Sequence, residues 1–204
     1  MTIQIVKTGE SANITSVVRA LQFLDLEVRV CETAGSISRR QPLLLPGVGT
    51  FNRAMLTLES SGMADAIRDH NGQQAPLVGI CLGMQVLCEN GEEEGFSPGL
   101  SLIKGSALSF RSQTLSGMGL HIGFRPVRTV NKPAALADQG RYYFSHSYFL
   151  SGVLPCEVVS TSNFEGLDFP AQISKGGVSG FQYHPELSGI RGLNILKSAV
   201  LALE

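Results

Sequence analysis

Tryptophan is absent from the 204 residues, and aromatic side chains make up only 7% of them. That scarcity removes the stacking platforms on which single-stranded nucleic acid is usually held. Charge is sparse and balanced: sixteen basic and seventeen acidic side chains leave a net charge of -1, with no basic block. The chain therefore carries no electrostatic footprint for nucleic acid or for an anionic membrane surface. No apolar run reaches the ~20 residues of a membrane span. The start, Met1 to Val6, has no basic segment leading into a long apolar one, so no signal peptide is expected. Four cysteines, Cys31, Cys81, Cys88 and Cys156, are scattered, with no C-x-x-C pair and no histidine at zinc spacing. They are expected as reduced thiols, with Cys31 and Cys156 buried in strands. These absences predict a cytoplasmic protein with no metal and no cofactor, bound to neither nucleic acid nor membrane.

What is present reads as a globular α/β chain. With 43% hydrophobic and 16% charged residues, it can bury a sizeable core. Short apolar runs alternate with helical patterns through the first half. Strands are expected at Ile3 to Val6, Glu27 to Cys31, Leu43 to Leu45 and Leu77 to Ile80. Asn13 is placed to cap a helix with Ile14, Val17, Val18, Leu21 and Leu24 on one face. Helices are also expected over Phe51 to Ser60, over Met63 to His70 and from Leu82 onward. The alternation argues for a largely parallel central sheet flanked by helices. From Leu100 to Tyr183 the segments are short, β-rich and split by Gly and Pro, predicting antiparallel hairpins added to the same sheet. Ser188 to Glu204 closes the chain as an amphipathic helix with Leu193, Leu196, Val200 and Leu203 inward. Nothing divides the chain, so residues 1–204 are expected to form one domain.

The strongest local signal is Gly79-Ile80-Cys81-Leu82-Gly83, between an apolar strand and a helix. Glycines on both sides of a nucleophile allow a sharp strand-to-helix turn that lifts the side chain above the sheet. A helix N-terminus after Cys81 favours its thiolate and offers the Leu82 N–H to an oxyanion. The competing reading is a core cysteine in a tight turn. A thiol nucleophile needs a base, and His184-Pro185-Glu186 supplies one. In an extended segment residues two apart share a side, so Glu186 can orient the His184 imidazole. The bland alternative is a surface histidine beside a capping glutamate. His70 sits on a polar helix end and is expected to be solvated. His121 and His146, in β-rich segments, are rival bases or satisfied structural histidines.

Cys81 within Gly-Ile-Cys-Leu-Gly-Met-Gln, followed about a hundred residues later by Gln182-Tyr183-His184-Pro185-Glu186, resembles the class I glutamine amidotransferases. Leu45-Pro46-Gly47-Val48-Gly49 looks like that family's oxyanion strand. Tyr142 to Tyr148 and Gly119 to Phe124 are similar to segments of the glutaminase subunits of imidazole glycerol phosphate synthases, of histidine biosynthesis. The resemblance spans nearly the whole chain and implies a single flavodoxin-like domain that hydrolyses L-glutamine to glutamate and ammonia. It implies Cys81 as the nucleophile of a glutamyl thioester, His184 as general base and acid, and Glu186 as the orienting carboxylate. By the same resemblance Val48, Gly49 and Leu82 hold the oxyanion. Gln85 and Glu93 would recognise the glutamine head group, and His146, Ser147 and Tyr148 would wall the pocket. A carboxylate such as Glu93 suits the α-ammonium, although Glu92 to Glu94 also reads as a solvated run.

The resemblance further implies a heterodimer with a cyclase of TIM-barrel type, to which ammonia passes. The chain departs from the subfamily at three places near that partner. Lys7 to Asn13 keeps only the asparagine of an Asp-Tyr-Gly-x-Gly-Asn loop, Phe124 replaces a tryptophan, and Leu187 replaces the lysine after the His-Pro-Glu motif. Two other customers fit the same chemistry: a sugar-amidinating enzyme of surface polysaccharide synthesis, or none, as in a γ-glutamyl hydrolase. A non-catalytic module that kept the fold is a further class, against which the complete Cys81, His184 and Glu186 set argues.

Overall fold

The computed structural model describes residues 1–7, 13–115, 117–131 and 140–201. Residues 8–12 of the Lys7 to Asn13 segment, the Asn13 side chain and Leu203 lie outside the described residues.

The first half forms β1 (Thr2–Val6), α1 (Asn13–Phe23), β2 (Glu27–Cys31), β3 (Leu43–Leu45), α2 (Phe51–Ser60), α3 (Met63–His70) and β4 (Leu77–Ile80). Next come the single turn α4 (Leu82–Gln85), β5 (Asn90–Gly91), β6 (Ser97–Pro98), β7 (Ser106–Ser109) and α5 (Phe110–Gln113). The rest is β8 (His121–Thr129), β9 (Gly140–His146), β10 (Tyr148–Ser151), β11 (Val158–Phe164), β12 (Leu167–Lys175), β13 (Val178–Phe181) and α6 (Gly189–Leu201). A nine-stranded sheet runs in the order β2-β1-β3-β4-β13-β12-β11-β8-β9. The five strands from β2 to β13 are parallel, and the remaining four are antiparallel. The expectation that every later hairpin joins this sheet is corrected in part: β10-β7-β5-β6 is a separate four-stranded sheet. Strands as short as β5 and β6 have no alternation to read, so nothing in their sequence announces a second sheet.

Period-2 alternation sorts the central strands into two cores. Ile3, Ile5, Leu44, Val78 and Ile80 pack with Val17 and Leu21 of α1 and Leu196 and Val200 of α6. Val6, Leu43, Leu45 and Leu77 face the other way, onto Met55 and Leu58 of α2 and Ile67 of α3. Apolar residues on both faces of β1, β3 and β4 fit a parallel sheet covered on both sides. In α6 the inward set includes Ile195 and Ala199 as well as Leu196 and Val200, while Leu193 is half-buried.

Several expectations fail on contacts that are remote in sequence. His70 is 1% exposed, not solvated; its Nε2 lies 2.9 Å from the Gln41 carbonyl, and burial lowers its pKa. Cys156 sits in the 3-10 turn Pro155–Glu157, not in a strand, and is exposed. Cys31, Cys81 and Cys88 are buried. Among the described residues no helix is long and apolar enough to cross a membrane, and no cluster of ligating side chains could hold a metal ion.

Candidate active site

Cys81 stands at the carboxyl end of β4, in the middle of the parallel sheet, with φ 53° and ψ -109°. A non-glycine residue is rarely found there, and such positions cost on the order of 1–3 kcal/mol that the surroundings must sustain. Its N–H donates to the Phe181 carbonyl of β13 at 2.7 Å, and its own carbonyl accepts from Gln85 N at 3.1 Å. The flanking glycines make the bend possible by their lack of a Cβ. A side chain on Gly83 would overlap the Leu45 carbonyl of β3, and one on Gly79 would lie 2.6 Å from the Gly83 carbonyl. The helix expected beyond Cys81 is a single turn. After Gln85 the chain tightens, Leu87 N bonding Met84 O and Cys88 N bonding Gln85 O, so the dipole behind the sulfur is short.

His184 follows β13, the strand paired with β4, and hydrogen-bonds Cys81. Its N–H donates to the Tyr143 carbonyl of β9 at 2.8 Å. Ser188 Oγ donates to the His184 carbonyl at 2.6 Å and accepts from Tyr143 N at 3.0 Å. Glu186 lies behind the imidazole, Oε1 2.9 Å from Nδ1, and the Glu186 side chain is fully buried. The extended geometry expected for this pair is corrected: Pro185–Leu187 is a 3-10 turn with Pro185 opening it, a place where proline's fixed φ and missing N–H cost nothing. His184 is 3% exposed, which sets aside the surface-loop alternative. Its other neighbour is the Cys81 thiol, which it hydrogen-bonds. Burial alone lowers the His184 pKa; the Cys81 charge, the Cys81 hydrogen bond and the Glu186 carboxylate outweigh it and hold the group at about 10. Near neutral pH the favoured state of His184 is the imidazolium.

A cavity of about 250 Å³ opens over the sulfur. Of the sequence-derived candidates, Val48, Gly49, Cys81, Leu82, Gln85, Glu93, His146, Ser147 and Tyr148 line it, while His184 and Glu186 are not part of its lining. Gly49 carries a positive φ of 121° and Val48 does not. The Glu92 to Glu94 run is a loop in which Glu92 and Glu94 are exposed and Glu93 is half-buried. Glu93 Oε2 accepts from Phe51 N at 2.7 Å, capping α2 in place of the Thr50 side chain, which makes no cap bond. Glu92 Oε1 accepts from Ser109 N at 2.7 Å, and Glu94 accepts from Thr50 Oγ1 at 3.1 Å. Burial raises the Glu93 pKa, partly offset by the Phe51 N–H.

The two rival histidines bond each other. His121 Nδ1 lies 3.1 Å from His146 Nε2, and His146 Nδ1 lies 2.8 Å from the Tyr148 carbonyl. Burial pushes His146 down to about 3 and His121 to about 4, so both are neutral at physiological pH. His146, held neutral with both ring nitrogens engaged, makes a wall, not a base. Sequence reasoning gave no role to Leu120 and Ser145, which also line the cavity, or to Gln182, whose Nε2 is 3.8 Å from Cys81 Sγ. For Gln182 a signal existed: it stands two residues before His184, on the same side of the chain. Arg111 lines an adjoining cavity that shares Glu93, Leu120, Ser147 and Tyr148 with the first.

Residues 5–202 match the family model of class-I glutamine amidotransferases. The chain is 36% identical over 191 residues to imidazole glycerol phosphate synthase subunit HisH of Chlorobaculum tepidum, covering 92% of this chain and 94% of that protein. To the subunit of the same name from Geobacillus thermodenitrificans it is 38% identical over 195 residues, 92% of this chain and 90% of that one. Among solved structures, a chain of PurLQS from Thermotoga maritima superposes with a TM-score of 0.77 at 17% identity, covering 100% of this chain and 99% of that one, which is a likeness of fold. A strained cysteine on a glycine-flanked elbow, paired with His184 and Glu186 and matched over nearly its whole length, makes this chain a member of the class I glutamine amidotransferase family.

Proposed function

We propose that residues 1–204 act as one amidotransferase domain, the glutaminase subunit of an imidazole glycerol phosphate synthase, which converts L-glutamine to L-glutamate and ammonia. The observation that carries this reading is Cys81 hydrogen-bonded to His184, which Glu186 backs at 2.9 Å, in a cavity lined also by Glu93. The Cys81 thiolate attacks the side-chain carbonyl carbon of glutamine. Negative charge moves to the carbonyl oxygen, where the Leu82 N–H and the backbone at Val48 and Gly49 receive it. His184 gives its proton to the departing nitrogen, which leaves as ammonia, and a glutamyl thioester remains. Water, deprotonated by His184, then attacks the thioester; glutamate departs and the thiolate returns. Glu186 keeps the imidazole oriented and stabilises its charged form.

Charge placement supports an amino acid as the substrate. Glu93 offers a carboxylate to the α-ammonium, and Arg111 in the adjoining cavity offers a cation to the α-carboxylate. His146, Ser147 and Tyr148 form the opposite wall. The partner receiving ammonia is a cyclase of TIM-barrel type. An apolar surface beside the site supports a docking face: Leu120 just before β8 and Ile122 and Phe124 along it are 55%, 46% and 48% exposed, with Leu187 at 42% and Ile190 at 64% beyond His184. Phe124 and Leu187 are two of the departures from the subfamily, and both present apolar side chains to solvent there. The relatives named as imidazole glycerol phosphate synthase subunits favour this customer over a sugar-amidinating enzyme.

The test is glutamate formation from glutamine by the purified chain, alone and with the cyclase subunit of the same source organism. Activity that rises with the cyclase and vanishes in Cys81→Ala is expected. Undiminished activity in Cys81→Ala overturns the mechanism, and indifference to the cyclase overturns the partner.

A further inference from the structure

The Tyr148 carbonyl oxygen can only accept hydrogen bonds, and two side chains meet there. Gln85 Nε2 lies 2.7 Å from it and His146 Nδ1 lies 2.8 Å from it, so both must donate. That fixes which end of the Gln85 amide is nitrogen. The same nitrogen stands 3.1 Å from one end of the Gln182 amide, which must therefore be its oxygen, since two NH₂ groups would repel. The Gln182 nitrogen then points the other way and lies 3.8 Å from Cys81 Sγ. Amide orientation is ordinarily inferred from the surrounding bonds; here one backbone carbonyl dictates it through two side chains. Gln182 is fully buried, and its backbone N–H is pinned to the Ala171 carbonyl at 2.9 Å.

Around the sulfur, the fixed groups differ in which protonation state they favour. The Ser145 carbonyl, 3.9 Å away, suits a thiol that donates. The Gln182 N–H suits a thiolate that accepts, and charge-assisted bonds of that kind are about twice as strong as neutral ones. The titratable groups facing Cys81 are His184, with Glu186 beside it, and, around the same cavity, His146, Glu93 and Tyr148.

We propose that Gln182 is a positioning residue for the glutaminase reaction: its side-chain N–H donates to the Cys81 sulfur, with its orientation set by Gln85 and the Tyr148 carbonyl. The bond is strongest while the sulfur is anionic, before attack and again when the thioester is hydrolysed and the thiolate is expelled. It weakens in the neutral thioester. A corollary concerns Gln85. Its NH₂ is committed to Tyr148 and Gln182, so the group left for a ligand is its carbonyl oxygen, an acceptor suited to an ammonium or amide N–H. The inference rests on Cys81 being the nucleophile.

The experiment uses Gln182→Glu, which keeps an acceptor for Gln85 but places oxygen beside the sulfur, and Gln182→Met, which keeps the volume and removes the donor. Two readouts are taken on the full chain: alkylation of Cys81 by iodoacetamide across pH, followed by peptide mapping, and kcat and KM for glutamine. Gln182→Met is expected to lower kcat about tenfold through thioester hydrolysis, the step in which the thiolate is expelled and the bond forms, with KM within about threefold. The Cys81 alkylation profile should move to higher pH, and further in Gln182→Glu than in Gln182→Met. Wild-type alkylation and kcat in a folded Gln182→Met overturn the proposal, as does a rise in KM alone, which would mean that Gln182 only shapes the cavity. If Gln182→Glu does not fold, Gln182→Met decides. If the wild type releases no glutamate, the proposed function fails, while the alkylation profiles still decide the role of Gln182.

Discussion

Replacing Cys81 by glycine and by alanine separates the chemistry of the elbow from its mechanics. Both variants lose the sulfur, but only glycine also loses the Cβ that makes φ 53°, ψ -109° unfavourable. At an ordinary position glycine is about 0.5–1 kcal/mol less stable than alanine. A non-glycine residue in such a sparse region carries on the order of 1–3 kcal/mol of strain. The difference leaves Cys81→Gly more stable than Cys81→Ala by about 1 kcal/mol, within a span of roughly 0–2.5. In a chain of this size that corresponds to a melting temperature a few degrees higher, about 2–4 °C per kcal/mol. Urea denaturation followed by far-UV circular dichroism measures the comparison, with equal slopes confirming that the unfolded states match. The sign decides. If Cys81→Gly is the less stable of the two by the ordinary margin, the elbow holds no strain and the account of its glycines is wrong.

Three further outcomes follow from the same geometry. Gly83→Ala, whose Cβ overlaps the Leu45 carbonyl, is expected to destabilise the fold by about 3 kcal/mol or more, whereas Gly35→Ala, with open space around it, should stay within about 0.5 kcal/mol; equal urea midpoints would contradict this. His70, His121 and His146 all have folded pKa values below the ordinary 6.5. The unfolded chain therefore takes up protons first, so their contribution is present above pH 6.5 and is lost as pH falls toward about 4 and about 3, by on the order of 3 kcal/mol at pH 4 for each of His121 and His146; stability that is flat from pH 7 to 4 would refute it. Under brief native alkylation Cys156 should be labelled while Cys31 and Cys88 resist, since Cys156 is exposed and burial pushes the Cys88 thiol up to about 12; peptide mapping reads this directly.

How far the sequence carried depends on how local each signal is. β1, β3, β4, α2 and α3 announce themselves because short apolar runs or helical apolar patterns are bounded by turn residues, the three strands feeding both cores and the two helices one. Cys81, His184 and Glu186 are legible for a similar reason: a glycine-flanked cysteine and a two-residue spacing are short-range features. What stayed hidden depends on partners remote in the chain. Glu93 reads as part of a charge run until the Phe51 N–H, 42 residues away, is seen to claim it. His70 reads as a polar helix end until the Gln41 carbonyl, 29 residues away, covers it. Gln182 acquires a role only through Gln85, 97 residues away. The short α4 is hidden for another reason, because the tightening after Gln85 is a matter of hydrogen-bond register that no residue type dictates.

The central claim is that nitrogen removed at Cys81 is delivered to a synthase partner. Glutamine labelled in its side-chain amide nitrogen, supplied with the cyclase subunit and its ribonucleotide substrate in excess unlabelled ammonia, tests this most directly. The account predicts that label enters the imidazole product in preference to nitrogen from solution, and that incorporation is lost in Cys81→Ala. Label that appears only as free ammonia, or that reaches the product in Cys81→Ala, contradicts it.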